Sequence, residues 1–151
     1  MIIDLKALKQ KGLKTCDFEF SFSPDNRLLS LPQSSFDGDA RIKGVVEVYD
    51  DEAFVSGKIT YGIKTVCSRC LSPVNKSFTI DFDERFLSMT NPEPDEDCFR
   101  YLHDKIDLSN MVDELIMTDM PYAVFCKEDC KGLCPSCGKN LNDGDCGCEI
   151  L

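Results

Sequence analysis

The sequence predicts an α+β protein: an antiparallel β-meander or barrel-like sheet, one or two short helices, and a cysteine-rich C-terminal tail. Three observations carry that expectation. Residues Cys16-Asp17-Phe18-Glu19-Phe20-Ser21-Phe22 alternate strictly between apolar and polar, and three further β-rich stretches follow before residue 90. An apolar stripe at helical spacing comes late, between Leu108 and Met117. Of ten cysteines, eight stand in four close couples, and six of those eight follow residue 125.

The elements read as follows. Asp4 to Lys11 predicts a short helix, with Leu5 and Leu8 on one side and Asp4 as N-cap. Strand 16–22 places Cys16, Phe18, Phe20 and Phe22 on one face, so Cys16 reads as a buried small hydrophobe. Pro24, Asn26, Pro32, Ser34, Ser35 and Gly38 make residues 24–38 a loop. Two strands, Ala40–Tyr49 and Ala53–Val66, flank the acidic turn Asp50-Asp51-Glu52. Gly57 and Gly62 mark bulges or close backbone approach. Another strand, Val74–Phe86, presents Phe78, Ile80, Phe82 and Phe86. Met89–Asp97 is expected to be a solvated, mobile loop, rich in acids and proline. Leu108, Met111, Val112, Leu115 and Ile116 then form one helical stripe, capped by Ser109 or Asp107 and ended before Pro121.

Composition narrows the class. The chain is 42% hydrophobic and 29% charged, and no apolar run reaches the roughly 20 residues that span a bilayer. Met1-Ile2-Ile3-Asp4-Leu5-Lys6 does not read as a signal peptide, so a cytoplasmic location is expected, with no membrane. The net charge of −10 is lopsided: residues 1–87 carry 12 basic and 13 acidic side chains, residues 88–151 only 5 basic and 14 acidic. Such a surface repels phosphate and anionic lipid and attracts a basic partner.

Ten cysteines without an export signal are thiols in a reducing compartment, which points to metal ligation or catalysis rather than disulfides. Their spacing favours metal. The couples are Cys67/Cys70, Cys126/Cys130, Cys134/Cys137 and Cys146/Cys148. Two residues between thiolates allow a tight knuckle in which both sulfurs reach one ion, and eight thiols make two four-cysteine zinc sites with none left over. The grouping favoured on spacing is Cys67, Cys70, Cys126 and Cys130 in one site and Cys134, Cys137, Cys146 and Cys148 in the other. The rival joins the two C-x-x-C knuckles in one ribbon and leaves Cys126 and Cys130 to the last two cysteines. On the first grouping, residues 1–120 form a sheet domain with its helix at about 108–118, and residues 121–151 a zinc-binding tail docked on the Cys67–Cys70 knuckle. Arg69, Lys127, Lys131 and Lys139 sit among the ligands and can offset thiolate charge; Cys98 reads as a free thiol.

Nothing in the pattern builds an active site. His103 is the only histidine and the only conventional base for a cysteine nucleophile, and its flanks Tyr101 and Asp104 suggest surface hydrogen bonding instead. The chain has neither a Walker loop nor a G-x-S-x-G elbow. No catalytic residues are expected, and the protein is expected not to be an enzyme.

Val66-Cys67-Ser68-Arg69-Cys70-Leu71, the strand after it, the acidic helix, and the tail Cys126-Lys127-Glu128-Asp129-Cys130-Lys131-Gly132-Leu133-Cys134-Pro135-Ser136-Cys137-Gly138 together resemble the YceD-like large ribosomal RNA subunit accumulation protein family. The resemblance implies a role in accumulation of large-subunit ribosomal RNA, structural rather than catalytic zinc, and later cysteines as partners of Cys67 and Cys70. Combined with the charge, it implies a non-enzymatic ribosome biogenesis factor. Its acidic half would meet a basic ribosomal protein of the large subunit or a precursor ribosomal particle, and like charge disfavours broad RNA contact. Two other readings stand beside it: a zinc-ribbon module that binds nucleic acid, which such modules do through a basic patch, and a redox or zinc-responsive regulator that uses thiolate oxidation as its switch.

Overall fold

The structure is a computed structural model that describes residues 1–94 and 96–149. Asp95 of the expected acidic loop and the last two residues of the expected tail therefore lie outside the described residues. Among the described residues, eight strands and two α-helices follow in order: β1 (Ile2–Asp4), α1 (Leu5–Gln10), β2 (Thr15–Phe22), β3 (Ser35–Phe36), β4 (Ala40–Val48), β5 (Glu52–Val66), β6 (Pro73–Ser88), β7 (Phe99–Tyr101), β8 (Lys105–Asp107) and α2 (Ser109–Asp119). The α+β class holds, with most of the regular structure in sheet.

The main sheet runs β2-β4-β5-β6-β7, with β3 added on β5. The barrel-like expectation is corrected: the sheet is open, with β2 and β7 at its two ends. Both helices cover the sheet in place of closure. Leu5 and Leu8 of α1, and Met111, Val112 and Ile116 of α2, join Ile42, Val46, Val55, Ile59, Ile63 and Ile80 in one core. Each such aliphatic side chain contributes ~1.5–3 kcal/mol on full burial. The purely antiparallel expectation is corrected too, since β7 pairs with β6 in parallel, Phe86 opposite Phe99. Parallel pairing needs a crossover, and the 89–98 segment supplies it. Arg100 organises that segment, donating to the carbonyls of Ser88 at 2.8 Å, Asn91 at 2.9 Å and Glu93.

Registers are unbroken. β4 pairs with β5 from Arg41↔Thr60 to Val48↔Ala53, and β5 with β6 from Glu52↔Leu87 to Val66↔Pro73. Neither Gly57 nor Gly62 forms a bulge. Gly57 instead faces Gly44 across the ladder at such close range that a Cβ on it would lie 2.1 Å from the Lys43 carbonyl oxygen. Close backbone approach is the reason for the glycine.

Asp4 caps α1 as expected, its carboxylate accepting from the amides of Lys6 and Ala7. For α2 the carboxylate that accepts a first-turn amide is that of Asp107, from Ser109 N at 2.9 Å. A second small sheet went unseen in the sequence: β1 pairs with β8 and puts Ile3 opposite Ile106, both buried. β7 and β8 are joined through His103 and Asp104, both at φ 54°, with Lys105 N bonded to Leu102 O at 3.2 Å. Two consecutive positive φ values make a tight turn that matches strand twist, which accounts for His103 structurally. Among the described residues, no helix is long and apolar enough to cross a membrane.

Candidate metal centres

Residues 67–72 form the loop between β5 and β6, whose ladder is paired as far as Val66 and Pro73. Cys67 N donates to Ser72 O at 2.8 Å and Leu71 N to Cys67 O at 2.9 Å, so the chain folds back within the loop. The sulfurs of Cys67 and Cys70 are thereby presented from a rigid hairpin end. Beyond α2 the chain returns to meet it. Ser68 N donates to Val124 O at 2.8 Å, and Val124 N donates back to the Ser68 hydroxyl at 3.1 Å. Arg69 closes the join, its guanidinium 4.3 Å from the centre of the Phe125 ring and donating to the carbonyls of Glu128 and Cys130, each at 3.2 Å. The expected charge-offsetting cation thus works on backbone and ring rather than on sulfur.

These contacts bring Cys67, Cys70, Cys126 and Cys130 together, their sulfurs all within 4.8 Å of one another. Cys67 and Cys130 stand 3.7 Å apart, Cys70 and Cys126 3.6 Å. The edge of a tetrahedron of sulfurs around an ion at about 2.3 Å is ~3.8 Å, so the spacing suits a shared metal ion. Cys67, Cys70 and Cys130 are buried, and Cys126 is exposed. Ring-like second contacts are present: Arg69 N donates to Cys67 Sγ at 3.4 Å, the Ser72 hydroxyl lies 3.2 Å from Cys70 Sγ, and Asn142 Nδ2 donates to Cys130 Sγ at 3.3 Å.

The second cluster lies in the last part of the chain. Cys134, Cys137, Cys146 and Cys148 also hold their sulfurs within 4.8 Å of one another. Cys134 N bonds to Lys139 O and Gly138 N to Cys134 O, a knuckle that turns at Gly138 with φ 76°. Glycine takes that left-handed conformation without strain. Between the couples runs a 3-10 turn, Leu141–Asp143, capped by Asn140, and Leu141 N bonds back to Gly132 O at 2.9 Å. Cys134 is buried, Cys137 exposed, and Cys146 and Cys148 half-buried. Of the two groupings the spacing allows, these eight sulfurs stand in the Cys67/Cys70/Cys126/Cys130 and Cys134/Cys137/Cys146/Cys148 arrangement. Cys98 joins neither; it lines a groove with Glu84, Phe99 and Glu114.

Thiol acidity within each cluster is uneven. Burial pushes the Cys67 thiol up, but the backbone N–H groups of Cys70, Cys126 and Arg69 outweigh it and bring it down to about 6. The N–H groups of Cys137 and Ser136 bring Cys134 down to about 6 as well. Cys148 goes the other way, to about 12, through its hydrogen bonds with Cys137 and Cys146. Four packed thiols cannot all ionise against one another; hydrogen bonds favour ionisation of Cys67 and, through Ser72, of Cys70 in the first cluster, and of Cys134 in the second. A divalent cation among them removes that repulsion and makes all four ligands. The donor set is all sulfur, with the distances of a shared ion. Both clusters fit metal binding.

The family model described as "Large ribosomal RNA subunit accumulation protein YceD" matches residues 55–150, a span holding all eight clustered cysteines. The chain belongs to the YceD family. Among curated proteins, this YceD-family chain is 31% identical to an uncharacterized protein of Mycobacterium tuberculosis over 119 residues, which cover 76% of this chain and 56% of that protein. It is 30% identical to uncharacterized protein YlbN of Bacillus subtilis over 102 residues, 66% of this chain and 59% of that protein. Over 44 residues, 29% of this chain and 14% of the relative, it is 36% identical to the chloroplastic large ribosomal RNA subunit accumulation protein YCED homolog 1 of Arabidopsis thaliana. The chain spans about half the length of the bacterial relatives it matches. No solved structure matches it.

Asn142 carries no ligand signature in the sequence. Its neighbours Asn140, Asp143 and Gly144 announce a turn, but nothing local says that one amide reaches a sulfur twelve residues away.

Proposed function

We propose that this chain is a non-enzymatic, cytoplasmic factor in biogenesis of the large ribosomal subunit, with zinc at both cysteine clusters as part of its structure. The observation that carries the reading is the family match across 55–150, which takes in both clusters together. Zinc is the favoured ion because an all-thiolate, four-ligand set suits a closed tetrahedral site. A closed site leaves no position for substrate, and that supports a structural role. The acidic 88–151 half would meet a basic protein of the large subunit, either free or on a precursor particle, while its charge repels bare RNA.

Depletion of the protein, with affinity recovery of the tagged full chain at low and moderate salt, tests this. The expected outcome is a fall in large- relative to small-subunit ribosomal RNA, with large-subunit proteins or precursor particles in the eluate. An unchanged RNA ratio together with an eluate free of ribosomal components would refute the role. Salt-sensitive binding to purified large-subunit RNA alone would favour the nucleic-acid-module reading instead.

A further inference from the structure

One amide spans the two clusters. Asn142 lies in the 3-10 turn Leu141–Asp143, between the Cys137 and Cys146 ligands of the second cluster. Its Nδ2 donates to Cys130 Sγ, the last sulfur of the first cluster, at 3.3 Å, and its Oδ1 accepts from Lys131 N at 3.0 Å. The side chain therefore grips both a ligand and the peptide after it. Its own position is fixed from behind: Asn140 Oδ1 accepts from Asn142 N at 3.0 Å and from Asn142 Nδ2 at 2.9 Å. Leu141 N to Gly132 O and the isolated Leu133–Asn140 bridge pin the turn against the segment that leads out of the first cluster.

The turn lies inside the 137–146 loop, whose two ends carry Cys137 and Cys146 of the second cluster, so an ion bound there would brace the loop that holds Asn142. An N–H directed at a thiolate stabilises its charge and orients its lone pairs, and loss of such outer contacts typically costs 10–100-fold in metal affinity. We propose that Asn142 is a positioning residue that couples the two centres, so that metal in the second cluster raises the affinity of the first. Coupling of this kind is reciprocal, so metal in the first cluster also tightens the second. The inference rests on reading both clusters as metal sites.

The test is titration of the reduced full chain with Co2+, whose thiolate complexes absorb, followed by Zn2+ competition against a chromophoric chelator. Asn142→Ala is expected to weaken the first site by about tenfold. Emptying the second cluster with Cys134→Ser plus Cys137→Ser is expected to weaken the first by a similar factor in the wild-type background, and to add nothing in the Asn142→Ala background. Asn142→Asp keeps the shape and the acceptor for Lys131 N but loses the donor. It should weaken the first site at least as much as alanine does, and shift the sulfur-to-cobalt absorption to longer wavelength, as a purely structural residue would not. First-site affinity within about twofold of wild type in both Asn142 variants overturns the coupling, as does an equal effect of emptying the second cluster with and without Asn142. Uptake of no Co2+ by the wild-type chain overturns the metal reading and the coupling together, whereas two bound equivalents without coupling leave the former standing.

Discussion

Cys70 and Cys126 are 56 residues apart in the chain and 3.6 Å apart at their sulfurs. If each cluster holds one ion, a single ligand lost should cost one ion and spare the other. Cys70→Ser and Cys137→Ser are therefore each expected to carry about one metal equivalent fewer than wild type, by elemental analysis of reduced protein purified without chelator. Loss of both ions from either variant, or of neither, would contradict two ions held by separate four-cysteine sites. At the same scale, Gly57→Ala drives a Cβ to 2.1 Å from the Lys43 carbonyl oxygen, a contact that only a backbone shift can relieve. We expect a loss of about 3 kcal/mol in urea unfolding, at the upper end for overpacking. Gly62→Ala is the control: its Cβ would come no nearer than 3.3 Å, to the Asp37 Cβ, and should cost under about 1 kcal/mol. Both glycines stand out in the sequence. That one tolerates a methyl group and the other does not is a property of the neighbouring strand.

At the scale of elements, α2 gains a first-turn acceptor from Asp107. Hydrogen bonds from Ser109 hold the Asp107 carboxyl below its ordinary range. A depressed carboxyl contributes stability that is complete above its unfolded pKa and lost as pH falls through the lower folded value. Asp107→Ala is thus expected to cost about 1 kcal/mol at pH 7, and the gap to wild type should close below about pH 4. Thermal unfolding of both proteins across falling pH measures it; a gap that does not narrow at all below about pH 4 would assign the effect to something other than the charge. The long strands and both helices were legible because each repeats its period over several residues. β1, β7 and β8 were not, at three residues each. A three-residue strand shows no period, and what defines it is its partner: Ile3 pairs with Ile106 across almost the whole sheet domain.

For the molecule as a whole, the sheet core and the tail rest on different forces. Ile42, Val46, Val55, Ile59 and Met111 are fully buried without help from any cysteine. Among the described residues of the tail, only Val124, Cys130, Gly132 and Cys134 are buried. Chelation of the full chain under reducing conditions is expected to strip exchange protection from the Ser68, Cys134, Gly138 and Leu141 amides. Those of β4, β5 and β6 should stay protected, as hydrogen–deuterium exchange would show. Collapse of the sheet along with the tail would mean that metal holds the entire fold.

By itself the sequence determined what is local or compositional: alternation in β2, the Asp4 cap, the α2 stripe, the paired knuckles, the acidic half, and the family likeness that the 55–150 match bears out. Only the tertiary structure decided that the sheet stays open, that β7 runs parallel to β6, and that Arg69 clamps the tail through Phe125 and two carbonyls. It also decided that Asn142 reaches Cys130. The reason is physical. A period or a cap is fixed by residues a few positions apart, whereas the meeting of distant sulfurs depends on how helices and sheet share one core, and no short stretch of chain encodes that sum.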